Sequence, residues 1–103
     1  GLDHILRVVD KFLIELESQL HEKGVTLSAT PEAREWLAQH GFDPLMGARP
    51  MARVIQDKIR RPLADELLFG KLVGGGRVTV EVRDNELVID AHAEPERLLP
   101  ATV

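Results

Sequence analysis

The sequence has no cysteine, so disulfides, thiol chemistry and Cys-based zinc sites are excluded. No apolar run approaches the roughly 18 residues of a membrane-spanning helix, and no signal-peptide pattern opens the chain. There is no basic excess. Thirteen Lys and Arg face seventeen Asp and Glu, a formal net charge of −4, which argues against general binding to nucleic acid or anionic membrane, since both need basic stripes. A Walker A phosphate loop is missing too. The glycine run Gly74-Gly75-Gly76 lacks the Gly-Lys-Ser/Thr ending and precedes a strand-like segment instead of opening a helix. Nothing resembles an acidic Walker B strand with its magnesium ligand, and no Gly-x-Ser-x-Gly nucleophile is present. His4, His21, His40 and His92 show no metal-ligand spacing. Asp65 and Glu66 are neighbours on a helix and point apart, so they make no close carboxylate pair. No self-contained enzyme remains, and no ATP hydrolysis is expected from this chain alone.

What is present is an ordinary globular composition, 44% hydrophobic and 29% charged over 103 residues, the size of one domain with a single modest core. An opening Gly1 in place of Met suggests a fragment or a processed chain. Ile5, Val9, Phe12, Leu13, Leu16 and Leu20 recur at helical spacing behind Asp3, a plausible cap, and Gly24 is the expected stop. Val25 to Ser28 alternates like a short strand. Thr30-Pro31 starts a second helix that turns Ala33, Trp36 and Leu37 inward and ends at Gly41. A third helix is expected from Pro50 to about Arg60, with Met51, Val54, Ile55 and Ile59 on one face. Pro62 should break it, and a short fourth helix should run to Gly70. The period then changes to two. Val78, Val80 and Val82 mark a half-buried strand, Asp84-Asn85 a hairpin turn, and Glu86 to Asp90 a returning strand. The reading is α+β: four helices packed on a small sheet of about three strands. The domain is expected over residues 1–92, with a flexible tail over 93–103.

The most informative segment is Gly41 to Leu68, centred on Gly47-Ala48-Arg49-Pro50. Pro50 suits a first helical position, and the residue before a proline is pushed out of helical geometry. Arg49 therefore belongs at a helix mouth, beside free N–H groups and the positive dipole end. A cation there is unfavourable unless an anion offsets it, and the assembly suits a phosphate. A surface or salt-bridged arginine is the plain alternative. Arg53, Lys58, Arg60 and Arg61 make the same helix basic, either as a solvated face or as a subunit contact.

From about Val9 to Val82 the chain resembles the C-terminal small domain of the Clp/Hsp100 family of AAA+ unfoldases, with Gly47-Ala48-Arg49-Pro50 in the place of the family's sensor-2 motif. The run Met46 to Asp57, followed by Arg61 to Gly70, is most similar to the ClpA branch, while the ClpB branch shares the Gly-Ala-Arg-Pro. The resemblance implies a lid over ATP, with Mg held mainly by a large domain outside this chain. Arg49 would contact the γ-phosphate, with Gly47, Ala48 and Pro50 as the supporting motif. It further implies a cytoplasmic, hexameric protein unfoldase. The partners would be the large AAA+ domain of the same subunit, neighbouring subunits in the ring and a ClpP-type protease, with no nucleic acid or membrane. A ClpB-like disaggregase lid and a free-standing interaction module with the lid fold remain as alternatives. The first helix is expected to expose apolar surface that a longer protein covers.

Overall fold

The protein's structure, a computed structural model, describes residues 2–93. Helix α1 spans Leu2–His21, strand β1 Val25–Ala29 and helix α2 Pro31–His40. Helix α3 covers residues 51–69 as three consecutive stretches: an α-helical Met51–Ile55, a π-helical Gln56–Arg60 and an α-helical Arg61–Phe69. Strands β2 (Gly76–Arg83) and β3 (Glu86–Ala93) follow. The described residues thus contain three helices and a three-stranded sheet of order β1-β2-β3, parallel between β1 and β2 and antiparallel between β2 and β3.

The α+β class agrees with the sequence reading, but the count of four helices is corrected to three, because Pro62 does not break α3. A proline inside an α-helix removes one ladder bond and presses its ring on the carbonyl four residues back. Here the ladder widens just before it: the Arg61 N–H bonds to the Gln56 carbonyl, five residues back. That wider turn makes room for the ring. It also keeps one face inward. Met51, Ile55, Ile59 and Leu63 are all buried, and a four-residue spacing drifts by about 40° per step in a regular α-helix. A turn of larger circumference absorbs the drift.

Three smaller corrections concern ends. Asp3 lies within α1, in its first turn, not before it as a cap; its charge still faces the positive dipole end there. Pro50 is the residue preceding α3, with φ −69° and ψ −12°, not its first residue. β3 continues beyond Asp90 to Ala93, because its pairing with β2 extends to Gly76↔Ala93. Most of the tail expected over 93–103 lies outside the described residues.

The strand register places Leu27, Val78 and Ala91 in one row and Ala29, Val80 and Ile89 in the next, on a common apolar face. Against it pack Val9, Leu16 and Leu20 of α1, Ala33, Trp36 and Leu37 of α2, and the inward face of α3. The opposite face carries Thr26, Ser28, Arg77, Thr79 and Asp90. The hairpin turn has φ 53° at Asp84 and 65° at Asn85, the paired positive φ that a type I′ turn requires. Trp36 Nε1 donates to the Asn85 carbonyl at 2.9 Å, which ties α2 to that turn. The His40 ring stacks on the indole with centroids 3.7 Å apart, and its Nδ1 lies 2.8 Å from the Trp36 carbonyl oxygen. Thr30 Oγ1 accepts the Ala33 N–H at 3.1 Å, so the expected cap of α2 is formed.

Candidate site at the mouth of α3

The connection from α2 to α3 is a tightly bonded loop. Asp43 and Gly47 exchange both backbone bonds, at 2.8 and 2.7 Å. Asp43 Oδ2 also accepts the N–H groups of Leu45 and Met46, each at 2.9 Å. A short polar side chain that bonds its own following backbone is the device that closes such a turn. Closure also needs a left-handed residue, supplied by Gly47 at φ +65°. The chain then turns through Ala48 into α3: the Arg49 N–H donates to the Met46 carbonyl at 3.3 Å and the Met51 N–H to the Ala48 carbonyl at 3.0 Å. Met51, fully buried, anchors the start of the helix.

Arg49 therefore stands before the first residue of α3, as its place ahead of Pro50 suggested, and it is exposed. Among the described residues its side chain has no ion pair or hydrogen bond. Gly47, Ala48 and Pro50 are half-buried around it. The loop is fixed by bonds that do not involve Arg49, so its backbone is held while its guanidinium is free to meet a group from outside.

The remaining sequence candidates are dispersed. Gly74 and Gly75 lie in the loop before β2 and Gly76 opens that strand, away from any helix start. Glu66 Oε1 accepts the Lys71 N–H at 2.9 Å, which caps the end of α3. His92 Nε2 lies 3.1 Å from Asp90 on the polar face of the sheet. Among the described residues no three potential metal-ligating side chains cluster, and no helix is long and apolar enough to cross a membrane.

Sequence reasoning missed the Asp10–Arg34 pair. Arg34 donates through Nε and Nη2 to the two oxygens of Asp10, both at 2.8 Å. That bond holds the guanidinium above its ordinary pKa, with partial burial opposing. The pair borders a groove of about 310 Å³ between α1 and β1, also lined by Leu13, Ile14, Glu17 and Leu27. A 24-residue separation left no local signal of it. The exposed apolar surface falls only partly on α1 as expected, at Leu2 (54%) and Ile14 (65%). Val9 is fully buried and Ile5 and Phe12 are half-buried, whereas Leu45 is 94% and Phe69 83% exposed.

The family model described as the C-terminal, D2-small domain of ClpB protein matches residues 1–80. The chain belongs to this family of Clp/Hsp100 AAA+ small domains. The Clp small domain is 50% identical to a ClpA homolog protein of Fuscovulum blasticum over 97 residues, 94% of this chain and 12% of that protein. It is 34% identical to the chaperone protein ClpB of Enterococcus faecalis over 87% of this chain and 10% of that protein. With ClpB of Mesorhizobium japonicum the identity is 45% over 72% of this chain and 8% of that protein. The chain thus spans about a tenth of the length of these relatives.

Proposed function

We propose that this domain is the lid of the second ATPase module of a ClpA-like protein unfoldase, and that Arg49 is its sensor for the γ-phosphate of ATP. The observation that carries the reading is an exposed guanidinium, without a partner among the described residues, held at a helix mouth by a bonded loop. A carboxylate or phosphate forms charge-assisted, often bidentate bonds with such a group. The lid is a rigid body, so one such bond makes its position depend on whether the terminal phosphate is present. Hydrolysis removes the contact and releases the lid, and packing against the neighbouring subunit of a hexameric ring passes that movement on. ATP and Mg are held mainly by the large domain; this chain adds one cation and a lever.

The ClpA-like form is supported by 50% identity to a ClpA homolog over nearly the whole chain. The ClpB-like disaggregase lid is favoured instead by the family model. In the first reading the complete protein, in the cytoplasm, delivers unfolded chains to a ClpP-type protease; in the second it works without one. Co-sedimentation of the complete protein with ClpP and ATP separates them, since only the ClpA-like form is retained.

The test of the sensor role is Arg49→Ala in the complete subunit. ATP hydrolysis or its coupling to unfolding should fall, while the domain's thermal stability changes by no more than about 0.5 kcal/mol, as for an exposed side chain. Arg49→Lys should restore activity only in part, because an ammonium lacks the planar fork. Wild-type hydrolysis and unfolding rates in the alanine variant would refute the role.

A further inference from the structure

Three segments converge at one end of the domain. The register aligns Val25, Gly76 and Ala93 in one row across the sheet. The end of α1 leads into Val25, the end of α3 leads through the glycine loop into Gly76, and β3 finishes at Ala93. The Gly76 N–H donates to the Gly24 carbonyl at 3.1 Å, which ties the first two together. Between α1 and α3 lies a groove of about 180 Å³, floored by Leu16, Leu20, Leu63 and Leu67 and rimmed by Lys23 and Arg60. It is smaller than the roughly 300–1,000 Å³ of small-molecule sites, and suits one or two side chains. No acidic side chain lines it. Lys23 is exposed and makes no ion pair among the described residues. Arg60 donates to Gln19 Oε1 at 2.8 Å, a neutral acceptor that leaves its charge uncompensated. The groove therefore complements a segment that carries leucine-like side chains next to carboxylates.

The sequence that follows β3 has that pattern: Glu94-Pro95-Glu96-Arg97-Leu98-Leu99-Pro100. It lies outside the described residues. Its starting point is close to the groove. Ala93 stands two strands from Val25, about 10 Å at the usual strand spacing, and Lys23 is two residues before Val25. Five extended residues reach about 17 Å, so Leu98 can arrive beside Lys23. We infer that residues 94–103 fold back over this end of the domain, with Leu98 and Leu99 in the groove between α1 and α3 and Glu94 and Glu96 on Lys23 and Arg60. The leucines supply most of the attraction, because apolar burial outweighs exposed ion pairs. The carboxylates select this groove over the one beside Asp10 and Glu17. So placed, the segment straps the end of α1 to the second half of α3 from outside.

The chain has no cysteine, so Thr102→Cys gives a single attachment site for a nitroxide on the chain of residues 1–103. In NMR spectra the amide signals of Gln19, Lys23 and Ala64 should be broadened. Those of Asp84 and Asn85, at the opposite end of the hairpin, should stay sharp. Leu98→Ala combined with Leu99→Ala should abolish the difference. Lys23→Glu should weaken it, and adding Glu96→Lys to that variant should restore it. Trp36 fluorescence checks that each variant is folded. Equal signals at the two ends, or broadening indifferent to the loss of both leucines, overturns the inference. A Lys23→Glu chain that behaves as wild type overturns the ionic pairing. Broadening in an isotope-labelled, nitroxide-free chain mixed with an unlabelled, nitroxide-bearing one places the segment in the groove of a second copy, and also overturns the inference.

Discussion

Replacing Gly47 by alanine isolates backbone strain from packing at the loop that carries Arg49. Gly47 has φ +65°, and a Cβ built on it meets no atom within 4 Å. The substitution therefore causes no clash, only the penalty of a side chain in left-handed backbone, about 1–2 kcal/mol. A less flexible unfolded chain offsets part of this, since Gly→Ala at a compatible site gains about 0.4–1 kcal/mol. A net loss of about 1 kcal/mol is expected, lowering Tm by roughly 4–8 °C in a domain of this size. Gly47→Asn should lose less, because Asn tolerates this region. Gly75 supplies the contrast. Its φ is +94° and its added Cβ would lie 2.9 Å from the Gly24 carbonyl oxygen. Strain and overpacking add there, so Gly75→Ala should cost about 2 kcal/mol or more. Urea unfolding followed by the fluorescence of Trp36, the sole tryptophan, measures all three. The reasoning fails if Gly47→Ala is neutral, if Asn is as damaging as Ala at position 47, or if Gly75→Ala is the milder change.

Ile59→Ala removes a fully buried side chain in the π turn and should cost about 2–5 kcal/mol in urea unfolding, whereas Phe69→Ala, at an 83% exposed position, should stay within about 0.5 kcal/mol. The Asp10–Arg34 pair has side chains 44% and 34% exposed, so a double-mutant cycle should give a coupling of at most about 1 kcal/mol that shrinks with added salt. For pH, the raised pKa of Arg34 means that its contribution is complete below the unfolded value and is lost only as pH rises through the folded one. Arg34 deprotonation should therefore contribute no slope to stability between about pH 5 and 9, and stability curves of wild type and Arg34→Gln should run parallel there as far as that step is concerned.

The local features were legible because each depends on a few neighbouring residues. Thr30-Pro31 specifies a helix start, Asp84-Asn85 a tight hairpin and alternating valines a half-buried strand, whatever the rest of the chain does. Arg49 was placed at a helix mouth by the same logic, from the proline that follows it. Pro62 could not be read that way. By itself it says stop, and only the packed face formed by Met51, Ile55, Ile59 and Leu63 shows why the backbone runs through it with one widened turn. The Asp10–Arg34 pair, the parallel β1–β2 pairing and the exposure of Leu45 and Phe69 likewise required the tertiary structure. Their partners, or the lack of them, are set by segments far apart in the chain. Sequence by itself determined the order and type of most elements and which faces are apolar, since backbone sterics and side-chain polarity act locally. Which faces meet, which charges find partners and which are left toward the outside was decided only when the helices closed on the sheet.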